Sequence, residues 1–401
     1  MTGHLDRQPR RPRARELNGR RASVSIREVA REASVSYQTV SRVINESANV
    51  KPSTREAVLD AISRLGFRPN RAARALAGGP VQSVTVLTAD TRRHGYAAAL
   101  EGIEEASRAA GFAMGVRVVE SGTPSSVRDA VERAIEPAGA LIVIAYDPPG
   151  IAALDAIPPG VPTAAIVETP SGNEGVGKPW VWIDDGKSAR SATEYLLSLG
   201  HQTVHYLSIP IWTATRTRAV GWQSALEDAG AAVPELLQGG WGPESGYEVG
   251  ERLARDPDVT AMLCGNDDLA MGFIRAMNKA GRAVPDDISV VGIDDSPLAP
   301  FYNPPLTTVR QDFQVLGRMC FAKLLSVLGR ETDKEVPSCL GTELVIRESA
   351  GPPKQSSRRG QSARRSALAN SVPGPDPGRH HNEKEAITTT RKENRNKETT
   401  P

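Results

Sequence analysis

The chain has 401 residues, 39% of them hydrophobic and 24% charged, with a formal net charge of +2. That length accommodates two or more domains with a sizeable core. No apolar run reaches membrane-spanning length, which argues against a membrane protein. The three cysteines, Cys264, Cys320 and Cys339, form no CxxC pair. They argue against a disulfide framework and suit a reducing cytoplasm.

The charge is unevenly placed. Residues 1–79 carry 16 Lys and Arg against 7 Asp and Glu, residues 80–350 carry 22 against 35, and residues 351–401 carry 11 against 5. A basic head on an acidic body implies that the head is the part that approaches a polyanion.

Residues 1–24 are Arg-rich, lack apolar periodicity and lack the apolar stretch of a secretory signal. They read as a disordered basic leader. Residues 25–67 read as three short helices. Ser25 and Glu28 form a capping box, in which the Ser side chain and the Glu three residues on satisfy each other's orphan amides. Ile26, Val29, Ala30 and Ala33 share one face of the first helix. Ser34-Val35 makes a turn, and Ser36 can cap a second helix whose Val40, Val43 and Ile44 point inward. Its outer face carries Tyr37, Gln38, Ser41 and Arg42, the chemistry of a DNA-reading helix-turn-helix. Pro52 to Glu56 predicts a second capping box. The third helix presents Ala57, Val58, Ala61, Ile62 and Leu65 to the core and stops at Gly66.

Residues 68–80 contain the segment RPNRAARALAGGP. Asn70 can cap about two helical turns before Gly78-Gly79-Pro80 halts them. A helix this short is marginal alone, which predicts a hinge that folds only when bound. Arg71 and Arg74 would suit a phosphate backbone.

From residue 81 to 349 strands alternate with helices, as in SVTVLTAD, GALIVIAY, VTAMLCGND and DISVVGIDD. Repeated βα units with apolar strands predict parallel sheets covered on both faces. The strands are too many for one sheet, and the Pro/Gly-rich stretch around residues 170–180 suggests a junction between two lobes. A ligand of such sheets binds beyond the carboxyl ends of the strands, so the cleft between lobes is the expected site. Trp222, on an apolar helix face, is assigned to the core. Residues 350–401 are rich in Pro, Ser, Thr, Arg, Asn and Glu and predict a disordered tail.

No GxSxG, HExxH, P-loop or paired Cys/His set is present. The carboxylate pairs Asp267-Asp268 and Asp294-Asp295 lack a His partner. The expectation is therefore no enzyme, no metal and no cofactor. The attached DNA module separates the chain from a stand-alone transport binding protein, which would share the fold.

Several segments resemble the lac/galactose repressor (LacI/GalR) family of bacterial transcription factors over roughly residues 25–348. VSYQTVSRVIN resembles the family's recognition element and RPNRAARALAGG its hinge helix. LLSLGH, the RxRAVGW stretch, CGNDDLAMGFIRAM, DISVVGIDD and PPLTTVRQDFQVLGRMC resemble its sensor motifs in order and spacing. The resemblance implies a periplasmic-binding-protein-like sensor of two lobes behind a small all-α head. It also implies a homodimeric repressor on a near-palindromic operator with a central CpG, its operator affinity switched by a small effector, a sugar or sugar derivative, bound between the lobes. By the same resemblance Ser36, Tyr37, Gln38, Ser41, Arg42 and Asn45 face DNA. Asn70, Arg71, Ala73 and Leu76 belong to the hinge contact, with Leu76 wedged into the minor groove. Ser34 stands where one member of the family carries Gly in the turn.

Arg216, Trp241, Asn266 and Asp294 fall where sugar-binding members hold ligand, Phe313 on an apolar wall and Trp212 near the mouth. The chemistry suits vicinal hydroxyls held in pairs against a flat indole. Val167 replaces a common Asp, and the loop TADTRRHGYA replaces a common Asn-Pro-Phe-Phe. The family's tetramers use a C-terminal Leu heptad. Leu368, Val372 and Ile387 cannot build one, so a dimer is expected.

Overall fold

The computed structural model describes residues 24–44, 50–67, 83–212, 217–330 and 335–354. The leader up to residue 23, the hinge, and the tail beyond residue 354 lie outside the described residues, as do Asn45, Asn70, Arg71, Ala73, Leu76 and Arg216.

The head consists of α1 (Ile26–Glu32), α2 (Tyr37–Ile44) and α3 (Pro52–Leu65). The Ser25–Glu28 capping box forms: the Ser25 amide donates to Glu28 Oε2 at 2.7 Å and the Glu28 amide donates to Ser25 Oγ at 3.3 Å. Ser34 takes the left-handed φ of 54° that turns the chain into α2, and Ser36 Oγ accepts the Thr39 amide at 3.1 Å. Val29, Val40, Val43, Val58, Ala61 and Phe67 close a small core.

Two expectations for α3 fail. Lys51 is the N-cap and Pro52 the first helical residue, with no side-chain cap bond. Ser53 is therefore already inside the helix, and Pro52, whose fixed φ suits that first position, replaces the capping box as the start signal. Ala57 is exposed, because the buried stripe runs through 58, 61, 62 and 65 and 57 lies beside it.

The body contains two six-stranded sheets. In the first lobe β1 (Ser83–Thr88), β2 (Ala113–Val118), β3 (Leu141–Ala145), β4 (Thr163–Val167), β5 (Trp180–Ile183) and β11 (Cys339–Leu340) lie in the order β11-β5-β4-β3-β1-β2, all parallel. In the second, β6 (His205–Ser208), β7 (Leu237–Gln238), β8 (Ala261–Cys264), β9 (Ser289–Asp294), β10 (Thr307–Arg310) and β12 (Glu343–Val345) lie in the order β12-β10-β9-β8-β6-β7. Only β12 runs antiparallel to its neighbour there. The first lobe carries α4 (His94–Ala109), α5 (Pro124–Ala138), α6 (Pro148–Asp155) and α11 (Phe313–Val327). The second carries α7 (Asp185–Ser198), α8 (Thr217–Asp228), α9 (Pro243–Leu253) and α10 (Asp267–Lys279). Each sheet is packed on both faces by separate apolar clusters.

The junction between lobes is not at residues 170–180. Trp180 and Val181 still pair with β4 in the first sheet. The chain crosses three times: between β5 and α7, between β10 and α11, and between β11 and β12. A Pro/Gly-rich stretch marks a loop, whereas these crossings are short and polar. The body also extends beyond residue 349, since the Gly351 carbonyl accepts bonds from Ser289 Oγ at 2.9 Å and contacts His201 Nε2 at 3.0 Å. Trp222 is buried as expected, its Nε1 donating to the Val204 carbonyl at 2.8 Å.

Candidate DNA-reading surface and ligand cleft

On α2 the inner face, Val40 and Val43, is buried, while Gln38 and Arg42 are exposed and Tyr37 is 55% exposed. Ser36 is exposed and Ser41 half-buried. A helix whose 3.6-residue period commits its valines to the core must turn these polar groups outward. Gln can pair with adenine and Arg with guanine along a major-groove edge.

The cleft lies beyond the carboxyl ends of both sheets. Strand order reverses between β1 and β3 in one sheet and between β6 and β8 in the other. The loops leaving those strands diverge, and ligands of such sheets lie at that divergence. They deliver Arg93, His94 and Tyr146 from the first lobe and Trp212 and Asn266 from the second. Phe313, Trp241 and Asp294 complete the set, so five of the six residues expected in the cleft line it.

The sixth, Arg216, lies outside the described residues; Arg218, two positions on, lines the cleft. It sits in the first turn of α8, whose start faces the cleft. Arg218 Nε donates to Asp185 Oδ1 at 2.8 Å, one terminal nitrogen donates to Gln311 Oε1 at 3.2 Å, and the other donates to the Gly265 carbonyl. Gln311 Nε2 also donates to Asp185 Oδ1 at 2.9 Å. Asp185 opens α7 just after the first crossing and Gln311 precedes α11 at the second. These two residues and Arg218 therefore form one polar knot at the junction of the lobes. Burial works against the charge on Arg218, but the Asp185 and Asp294 carboxylates outweigh it and hold the guanidinium above its ordinary range.

Asp294 ends β9 with a left-side φ of 124°, followed by Asp295 at 54°. Asp295 is held by Arg310 at 2.8 Å and Arg347 at 2.6 Å. Burial raises the Asp294 carboxyl well above the usual carboxylate range, Arg218 opposes this, and the nearby Asp267, Asp268 and Asp185 add to it. Asp267 is raised by burial too, against the Thr308 hydroxyl at 2.6 Å and the Ser296 amide at 2.7 Å.

Asn266 caps α10. Its Oδ1 accepts the Leu269 amide at 2.8 Å and its Nδ2 donates to the Trp241 carbonyl at 3.0 Å. It therefore fixes the Trp241 loop as well as lining the cleft. Arg93 lies 4.9 Å from the centroid of the Trp241 ring, a cation–π contact that joins the two lobes over the cleft. Opposite, His94 meets Phe313 edge-on at 5.7 Å, and burial lowers the His94 imidazole from its ordinary value.

Asp185, Gln311, Tyr146, Arg93 and Arg218 are not singled out by the sequence. Asp185 lies two residues after β5 (WVWI) and Gln311 directly after β10 (TTVR), and a polar residue at the carboxyl end of a strand is the signal that could have found them.

Comparison with known proteins agrees with this geometry. Residues 25–70 match the profile of bacterial regulatory proteins, lacI family, and residues 193–350 that of a periplasmic binding protein-like domain. The lactose operon repressor of Escherichia coli (strain K12) is 33% identical over 308 residues, covering 76% of this chain and 84% of that protein. The crystal structure of the lac repressor dimer bound to operator and the anti-inducer ONPF superposes with a TM-score of 0.72 at 31% identity, covering 82% of this chain and all of that one. The complex of the transcriptional regulator CelR with cellobiose gives a TM-score of 0.57 at 28% identity, again with 82% of this chain and all of that one covered. A helix-turn-helix head, two parallel-sheet lobes with a cleft at their switch points, and these likenesses converge: the chain belongs to the lacI family of bacterial transcriptional regulators.

Proposed function

We propose that this regulator binds a two-fold symmetric operator as a homodimer and represses from it. A neutral sugar or sugar derivative, held in the cleft, shifts its affinity for DNA. The observation that carries the reading is the knot of Asp185, Arg218 and Gln311. It lines the ligand cleft and at the same time ties two of the crossings on which the lobes would turn. A ligand that bonds Arg218 or Asp294 bears directly on the lobe angle, which is the differential contact a switch requires.

On the DNA side, Tyr37, Gln38, Ser41 and Arg42 read base edges, with Ser36 and Asn45 flanking them. The hinge from Asn70 to Leu76 adds the minor-groove contact by family resemblance. In the cleft, Arg218, Asp294 and Asn266 take hydroxyls and Trp241, Trp212 and Phe313 supply apolar walls. The non-enzymatic reading rests on the family's regulators. No helix among the described residues is long and apolar enough to cross a membrane.

The test is operator affinity, followed by fluorescence anisotropy, across a panel of mono- and disaccharides. At least one sugar should change affinity about fivefold or more. A flat response across sugars, with a response to another metabolite class, would replace the carbohydrate part of the reading.

A further inference from the structure

Among the described residues lining the cleft, the phenol of Tyr146 is the one side-chain polar group buried without a hydrogen-bond partner. Tyr146 directly follows β3 at the first lobe's switch point. Its ring stands edge-on to Tyr96, with centroids 5.3 Å apart at 89°, and to Phe313, at 6.3 Å and 74°. Tyr96 is itself pinned, its hydroxyl donating to Asp147 Oδ2 at 2.6 Å, while Asp147 Oδ1 accepts the Gly150 amide at 2.9 Å. The Tyr146 ring is thus fixed from both sides. Yet its hydroxyl, shut away from solvent, has no hydrogen-bond partner among the described residues. The charged side chains that act on it most strongly are Asp185, Arg218 and Asp294, all lining the cleft.

A buried hydroxyl without a partner is unfavourable, and a phenylalanine would fill the same space without that cost. The two aromatic contacts need only the ring. The hydroxyl is thus the part of Tyr146 to which the described contacts give no role.

We propose that Tyr146 is a specificity-determining residue of the effector cleft, its Oη exchanging a hydrogen bond with a hydroxyl of a neutral, ring-bearing polyol. The inference rests on the reading of the cleft as the effector site. The ligand class follows from the surrounding groups. Arg218 only donates, while a phenol both donates and accepts, as an alcohol does. Asp185 and Asp268 line the same space and Arg218 is already paired with Asp185, which disfavours an added negative charge and so phosphorylated sugars and sugar acids.

The experiment compares Tyr146→Phe with Tyr96→Phe in the full-length protein. Without ligand, Tyr146→Phe should melt at or above the wild-type temperature, because it removes an unpaired polar group. Tyr96→Phe should melt lower, because it breaks the bond to Asp147. A lower melting temperature for Tyr146→Phe overturns the proposal, since the hydroxyl would then be structurally engaged. In the second arm, glucose, galactose, lactose, cellobiose and glucose 6-phosphate are titrated against both proteins by tryptophan fluorescence, which Trp241 and Trp212 report. The neutral sugar that binds wild type should bind Tyr146→Phe about tenfold more weakly, and glucose 6-phosphate should bind neither. Equal affinity for wild type and variant overturns the proposal. Binding of none of the sugars counts against the carbohydrate reading of the cleft, and the melting comparison then decides on Tyr146 alone.

Discussion

Arg218 donates to Asp185 at 2.8 Å across the point where the chain leaves the first lobe for the second. The approach is set by backbone packing. A Cβ on Gly221 would overlap the Gly186 carbonyl, so α7 and α8 touch where neither carries a side chain, and their first turns bring Asp185 and Arg218 together. Both side chains are about 14% exposed or less, so the pair is largely out of water. Arg218→Met leaves the Asp185 carboxylate without its charge partner and should lower stability by about 3 kcal/mol. Adding Asp185→Asn should recover a large part of that loss. Urea unfolding of the two single variants and the double variant measures the coupling, and strictly additive losses would show that the two residues act independently.

The Asp294 carboxyl gives a pH signature. Its value in the folded protein is raised above the ordinary carboxylate value, chiefly by burial. The protonated form is thus favoured by folding, and its contribution is fully present below the ordinary value and lost as pH rises through the raised one. Stability of the ligand-free protein should therefore increase as pH falls from neutral towards about 5, before general acid unfolding sets in. Asp267 and Asp268, raised by burial as well, contribute in the same direction. Asp294→Asn should raise the melting temperature at neutral pH, flatten this slope and abolish the sugar response. An unchanged slope would show that Asp294 stays ionised throughout.

Ser34 occupies the turn between α1 and α2 at a φ of 54°. A side chain there costs on the order of 1 kcal/mol relative to glycine. Ser34→Gly should slow amide exchange at Val40 and Val43 about threefold or more, the change expected for a head steadied by roughly 0.7 kcal/mol. Faster exchange would mean that the Ser34 side chain is stabilising the turn.

The exposed face of α2 separates base reading from backbone attraction. Gln38→Ala and Arg42→Ala should each cost about 1–3 kcal/mol against the preferred operator and relax preference at one base pair per half-site. Affinity for random-sequence DNA should change far less. Equal losses on both DNAs, measured at one salt concentration, would assign these residues to phosphate contact instead.

The sequence made the periodic features of the molecule legible. Apolar runs such as LIVIA and AMLC, alternating with helical segments, read as buried parallel strands, and Ser25 with Glu28 announced the start of α1. Trp222 was assignable to the core because its neighbours on the helix are apolar. The crossings between lobes were not legible, because three separate segments meet there and none has a distinctive composition. Arg218 was not singled out because only the start of α8 shows that its guanidinium faces the cleft, while Arg216 lies outside the described residues. Tyr146 carries no signal in sequence at all. Its role depends on a hydroxyl left unpaired by residues distant in the chain.

The central claim is that the α2 face reads a symmetric DNA site under control of the cleft. The most direct test is selection of binding sites from a random DNA library with the purified full-length protein, repeated with the sugar that binds it. The account predicts enrichment of a two-fold symmetric site with a central CpG, in an amount that the sugar changes. Enrichment of no sequence under either condition, or of one that the sugar leaves untouched, would contradict it.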